Sequence, residues 1–236
     1  MIHARYRSGM RTGLLSAAAA SLLDVAFPPS CAGCAAEGET FCPRCRGALD
    51  VRLDLPAGVS LGLPAAMPMP LAQLEWCAPF SGPVRMALHG LKYSGEQRLA
   101  VPLAAALASR WRASGAGGEV LVPVPVHADR ARRRGYDQAV LLASEAARLL
   151  QLPYVRALER RRNTQPQFDL GRNARRTNVA GAFAIAGPMQ ADRVCRRWVV
   201  LVDDVVTTGS TLVACAEALY EAGAVAVSAV TVARER

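Results

Sequence analysis

Residues 199–211 read Val-Val-Leu-Val-Asp-Asp-Val-Val-Thr-Thr-Gly-Ser-Thr: an apolar run, two adjacent carboxylates, then a turn of hydroxyls and glycine that opens a helical pattern over 210–222. A strand that is apolar at every residue has to be buried on both faces, which is the habit of parallel sheets covered by helices. The same alternation surrounds it. Short β-branched runs at 120–126 (VLVPVPV), 154–158, 181–186 (GAFAIA), 198–202 (WVVLV) and 225–232 (VAVSAVTV) are separated by helical spacing at 136–150 and 210–222. The pattern predicts an α/β fold with a parallel central sheet and helices on both faces. Ligands bind such sheets at the carboxyl ends of the strands, so the loops after Val126 and Val202 are where chemistry is expected.

The carboxylates and the turn suit different halves of one ligand. Asp203 and Asp204 end an apolar strand, a costly position unless a polyol, a cation or a metal meets them. Thr207 to Thr211 offer backbone N–H groups, hydroxyls and a helix N-terminus to a phosphate, and Gly209 permits close approach of the backbone. Together they describe a phosphorylated ribose. The bland alternative is an ordinary strand-to-helix turn with the Asp pair as helix caps. No G-x-x-x-x-G-K-[ST] loop occurs in the chain.

With 52% apolar and 20% charged residues among 236, the chain has ample material for a core and is not a disordered sequence. Lys and Arg number 28 against 19 Asp and Glu, and the net charge of +9 admits polyanionic partners. No stretch reaches the roughly 18–20 uninterrupted apolar residues of a membrane span, so no stable membrane insertion is expected. Residues 14–27 come closest, behind a basic start, but Asp24 interrupts them and no A-x-A site follows. They read as a helix packed on the protein, and the chain as cytoplasmic.

Four of the seven cysteines form two C-x-x-C pairs, Cys31-Ala-Gly-Cys34 and Cys42-Pro-Arg-Cys45. Two such turns facing each other give four thiolates for a closed, structural Zn²⁺; a disulfide knuckle or two redox pairs are the alternatives, and iron suits the spacing less well. Cys77, Cys195 and Cys215 lie in apolar surroundings and are expected to be small buried hydrophobes. Residues 50–79 are rich in Pro, Gly, Leu and Ala and read as a linker. Helical spacing resumes at 83–93 and 99–111, with Lys92 either a solvated helix-end cation or a phosphate contact. The expected organisation is an N-terminal helix and zinc element over 1–49, a linker or hood over 50–82 and the α/β domain over 83–236.

The segment VVLVDDVVTTGST resembles the 5-phosphoribosyl-1-pyrophosphate (PRPP) motif of type I phosphoribosyltransferases. Around it stand, in order, the four cysteines, Leu91-Lys92-Tyr93, Pro123-Val-Pro-Val-His127, Arg134-Gly-Tyr-Asp-Gln138, Arg160-Arg-Arg-Asn-Thr-Gln-Pro-Gln167 and Asn178-Val-Ala-Gly-Ala-Phe183. This order resembles the ComF proteins, which carry a type I phosphoribosyltransferase fold behind an N-terminal zinc element and are linked to DNA uptake in competent bacteria. Asp137, where Asn is more usual, and Glu159, where a basic residue is more usual, depart from the family pattern.

The resemblance implies a PRPP-binding stretch of Asp203, Asp204, Val205, Val206, Thr207, Thr208, Gly209, Ser210 and Thr211. In it the two acids bind the ribose hydroxyls and are the catalytic pair, and the last five residues cradle the phosphate. It implies a pyrophosphate loop at Pro125, Val126 and His127, with Arg130, Arg132, Arg133 and Arg134 close by. It also implies a flexible loop carrying Arg160, Arg162, Thr164 and Gln167, continuing to Arg172, Arg175 and Arg176. Mg²⁺ would accompany PRPP, and a nitrogen acceptor would attack C1 as pyrophosphate leaves. The acceptor hood would come from residues 46–93, where no base-binding motif is readable. The arginine-rich segments suit a lid over phosphates and a nucleic-acid contact equally. A non-catalytic module that binds single-stranded DNA or competence proteins is therefore the second reading, and a homodimer is left open.

Overall fold

The structure, a computed structural model, describes residues 29–56, 70–126, 128–161 and 181–235. In chain order the elements are α1 (Pro43–Arg46), β1 (Gln73–Pro79), α2 (Gly82–Tyr93), α3 (Ala100–Ala113), β2 (Val120–Pro123), α4 (Ala128–Arg134), α5 (Gln138–Leu150), β3 (Leu158–Arg160), β4 (Phe183–Ile185), α6 (Pro188–Val194), β5 (Trp198–Val206), α7 (Ser210–Glu221) and β6 (Ala226–Arg234). Four strands form a parallel sheet in the order β1–β6–β5–β2, and β3 pairs antiparallel with β4. Tyr154 adds a parallel bridge to Leu121 beyond β2, which is all the ladder that the strand expected at 154–158 makes before β3 begins.

Side chains alternate across β5, so neighbouring valines serve opposite cores. Val200 and Val202 pack with Val230, Leu121 and the buried faces of α2, α3 and α5. Val199 and Leu201 pack with Val120, Val122, Ala229 and α7, together with Phe183 of β4 and Val194 of α6. Both faces are thus covered, as the continuous apolar strand required. Leu88 and Leu91 of α2 are fully buried, a burial that stabilises by roughly 2 kcal/mol each.

Several boundaries differ from the sequence reading. Residues 73–79, placed in the 50–82 linker, form β1, a sheet-edge strand running beside β6 from Gln73↔Ser228 to Pro79↔Arg234. Its apolar pattern is broken by Glu75, which is fully buried and accepts hydrogen bonds from Arg110 Nε (2.9 Å) and Nη2 (2.6 Å). A buried ion pair contributed by α3 cannot be read from the strand itself. Arg52 caps the arrangement, donating to Trp76 O at 2.9 Å with its guanidinium 3.7 Å from the Trp76 ring. The strand expected at 120–126 ends at Pro123, and α5 starts at Gln138 because Asp137 accepts from Ala139 N and Val140 N as its cap. The arginine run at 128–134 is helical, as is 188–194, which begins with Pro188 in the first turn.

Cys77 and Cys215 are buried as expected, whereas Cys195 is exposed, at the end of α6 among Arg193, Arg196 and Arg197. Residues 14–27 lie outside the described residues. Among the described residues no helix is long and apolar enough to cross a membrane.

Candidate functional site

Strand β5 continues through the acid pair to Val206, so Asp203 and Asp204 sit inside the ladder, Asp203 opposite Thr231, and not in a loop after it. Successive residues of a strand face opposite ways, and the two carboxyls meet different surroundings. Asp204 is 5% exposed, and its Oδ2 meets Lys92 Nζ of α2 at 2.6 Å and Gln138 Nε2 of α5 at 3.4 Å. Asp203 Oδ1 accepts from Asp204 N at 2.8 Å. Burial, and then the neighbouring Asp204 charge, push the Asp203 carboxyl well above the usual carboxylate range. Burial pulls Lys92 down, but Asp204 and Asp203 outweigh it and the ammonium is held above its ordinary range.

The turn after β5 is shaped by Gly209, whose φ of 79° is left-handed and therefore favours glycine. Its carbonyl accepts from Val213 N at 2.9 Å, which starts α7. Thr208 Oγ1 lies 2.8 Å from Ser210 Oγ and accepts from Ser210 N at 3.4 Å, so the hydroxyls are gathered at the helix N-terminus. Across from them the loop after β2 is held by Asp137, which takes Val126 N at 3.3 Å while capping α5. Burial raises the Asp137 carboxyl despite these donors.

These elements enclose a cavity of ≈ 170 Å³ lined by Lys92, Tyr93, Val124, Pro125, Val126, Arg134, Gln138, Arg160, Asp203, Asp204 and Thr211. Eight residues singled out from sequence therefore converge: both acids, Lys92, Thr211, Pro125, Val126, Arg134 and Arg160. Arg134 Nη1 donates to Gln138 Oε1 at 2.7 Å, and its guanidinium lies 5.1 Å from the Tyr93 ring. Arg132 and Arg133 turn to solvent, Arg132 pairing with Asp129. Thr207 is exposed; Val206 and Gly209 are buried. His127, Arg162, Thr164, Gln167, Arg172, Arg175 and Arg176 lie outside the described residues, as does the side chain of Arg130. Sequence reasoning missed Tyr93 and Gln138 and did not foresee that Lys92 meets a carboxylate. All three stand in the motif segments 91–93 and 134–138, whose order was the available signal.

The cysteine element lies against α2. The four Sγ atoms of Cys31, Cys34, Cys42 and Cys45 are within 4.8 Å of one another, and Cys34 Sγ is 3.7 Å from Cys42 Sγ. Four thiolates about 2.3 Å from a central ion stand about 3.8 Å apart, so the cluster can hold a tetrahedral metal ion. Gly33 N and Cys42 N both point at Cys31 Sγ at 3.3 Å. Burial raises the Cys31 thiol, but these donors prevail and bring it to about 6, whereas burial and the neighbouring thiols push Cys45 to about 12. Gly33 has no room for a side chain: a Cβ would lie 2.7 Å from Cys45 Sγ and 2.9 Å from Pro83 Cβ. Cys31, Phe41, Cys45 and Leu49 share one core with Val84, Ala87, Leu88 and Leu91 of α2.

The profile of the Phosphoribosyl transferase domain matches residues 136–236. The DNA utilization protein YhgH of Escherichia coli O157:H7 is 32% identical over 203 residues, spanning 84% of this chain and 85% of that protein. Competence protein F of Haemophilus influenzae is 41% identical over 95 residues, 40% of this chain and 41% of that one. A solved structure described as the allosteric regulatory enzyme of purine biosynthesis aligns at 22% identity and a TM-score of 0.37, over 58% of this chain and about a quarter (25%) of that one, a likeness that carries no argument about the site. On the strength of the near-full-length relative and the domain match, the chain belongs to the ComF family, with a type I phosphoribosyltransferase fold behind a four-cysteine element.

Proposed function

We propose that this chain binds PRPP, as its Mg²⁺ salt, in the cavity at the carboxyl end of β5 and transfers the phosphoribosyl group to a nitrogen acceptor. The observation that carries the reading is the convergence of Asp203 and Asp204, Thr211 at the start of α7 and two arginines, Arg134 and Arg160, on one small cavity. Asp203 and Asp204 receive the ribose hydroxyls and orient the sugar. Thr207, Thr208, Gly209, Ser210 and Thr211 take the phosphate at the start of α7, where backbone N–H groups favour an anion. Val205 and Val206 carry the strand between them. The family resemblance assigns Pro125, Val126, His127 and Arg134 to the pyrophosphate and Arg160, Arg162, Thr164 and Gln167 to the flexible loop. The C1–O bond breaks with its electron pair leaving on pyrophosphate, the acceptor nitrogen forms the C1–N bond, and its proton passes to water. The cationic sugar that develops is stabilised by the acid pair.

The ion at the four cysteines is Zn²⁺ in this reading, since four thiolates in a closed tetrahedron suit a structural site and leave no open position. The chain acts in the cytoplasm, and the names of its relatives support a part in handling DNA taken up by the cell. A second reading, a module that binds single-stranded DNA or competence proteins, is favoured by the net charge of +9.

Calorimetric titration of PRPP with and without Mg²⁺ tests the first reading. Micromolar, Mg²⁺-dependent binding that is lost in Asp203→Asn/Asp204→Asn is the expected result. A folded wild type that binds no PRPP but binds single-stranded DNA with steep salt dependence would put the second reading in its place.

A further inference from the structure

The ammonium of Lys92 has no part in the assignments above, yet it lies 2.6 Å from Asp204 Oδ2 with only 20% of its side chain exposed. It is delivered there by a helix with little freedom. Leu88 and Leu91 are fully buried, a Cβ on Gly90 would stand 3.0 Å from Leu99 Cδ1, and Tyr136 OH donates to Leu91 O in the last turn. Tyr136 also precedes the cap of α5, so the helix that supplies Lys92 and the helix that supplies Gln138 are tied together beside the acid pair. Lys92 and Gln138 meet the same oxygen of Asp204, which fixes the rotation of that carboxylate. A solvated helix-end lysine would show neither the burial nor the shared oxygen.

We propose that Lys92 is a positioning residue of the phosphoribosyl site: its ammonium, together with Gln138, holds the Asp204 carboxylate turned to receive the ribose hydroxyls. This rests on the PRPP reading of the cavity. A carboxylate at a buried strand end is costly without a partner, and the ammonium of Lys92 supplies one to Asp204. The charged and polar groups that line the cavity with Asp204 are Lys92 and Tyr93 from α2, Gln138 from α5, Arg134 from α4, Arg160 from β3, Thr211 from α7 and Asp203 from its own strand. Of the three cations, only Lys92 makes an ion pair with Asp204 among the described residues.

The test compares wild type, Lys92→Gln and Lys92→Arg by calorimetry with PRPP, ribose 5-phosphate and inorganic pyrophosphate, with circular dichroism to confirm the fold. Lys92→Gln is expected to weaken PRPP and ribose 5-phosphate by the same factor, at least about tenfold near neutral pH, the worth of one charge-assisted hydrogen bond. Pyrophosphate binding should be unchanged. Lys92→Arg, which keeps a cationic donor for the same carboxylate oxygen, should return both affinities toward wild type. An equal loss for pyrophosphate would make Lys92 a direct phosphate contact and overturn the proposal, as would equal PRPP affinity in wild type and Lys92→Gln. Wild type that binds neither PRPP nor ribose 5-phosphate removes the underlying reading, and this one with it, before any variant is compared.

Discussion

Helix α2 has a different kind of site at each end. At its start the four-cysteine element closes on itself, with Gly33 against Pro83 and Cys31 and Cys45 in the same core as Val84 and Leu88. At its finish Lys92 reaches out of the helix to an acid pair on the central strand. The ligands of the first site come from one stretch of 15 residues, 31–45, and their geometry follows from local turns. The second is assembled from α2, the loop after β2, α4, α5, β3 and β5, and its charges are settled only by groups distant in sequence. A closed site can be built by spacing alone, because a metal supplies the missing interactions. An open site must hold unfavourable charges in place until a ligand arrives, and here that task falls to the rest of the fold.

Removing the metal should break this comparison most severely. Because the cysteine element shares its core with α2, chelation or Cys42→Ser is expected to cost more than about 3 kcal/mol, roughly 6–12 °C in Tm for a chain of this size. PRPP affinity should fall as well, since the same helix carries Lys92. Thermal unfolding beside metal analysis and calorimetry checks this, and unchanged PRPP binding in the metal-free protein would show the two ends of α2 to be independent.

Asp137 sharpens the picture of the open site. Its carboxylate joins the loop after β2 to the start of α5, so Asp137→Ala should cost about 1.5 kcal/mol from the lost cap and the lost Val126 contact. Asp137→Asn keeps an acceptor oxygen and should stay within about 0.5 kcal/mol of wild type, as chemical denaturation would show.

The smallest effect has the opposite sign. The Asp203 carboxyl is raised from its ordinary 3.8, so the fold disfavours its ionised form. Its contribution to stability is complete below the ordinary carboxylate range and is lost as pH rises through the raised value. Asp203→Asn should therefore stabilise the free protein near neutral pH by about 1 kcal/mol while weakening PRPP binding. The gain should shrink as the pH falls toward about 4, where the carboxyl of the unfolded chain becomes neutral too. A pH series of Tm values for the two proteins checks it, and a loss of stability at neutral pH would contradict the strained-acid account.

The parts of the molecule legible in the sequence are those in which neighbours along the chain do the work. The C-x-x-C pairs, the continuous apolar strand of β5 and the glycine turn into α7 all belong to this class. Tyr93 and Gln138 stood within quoted motifs but gave no local sign of the contacts that place them at the cavity. The edge strand β1 was hidden by a buried Glu75 whose countercharge comes from Arg110, 35 residues away. Cys195, expected in the core, is exposed at the end of α6, where Arg193, Arg196 and Arg197 flank it along the chain.

By itself, then, the sequence determined the alternation of strands and helices, the cysteine spacing and the Asp-Asp-to-hydroxyl fingerprint, because periodicity, turn chemistry and ligand spacing act over a few residues. Only the tertiary structure decided which cation meets which carboxyl and that a presumed linker completes the sheet. It also decided that one helix joins the cysteine centre to the acid pair. Those outcomes depend on burial, and how far a charge is removed from water is set by every element packed around it.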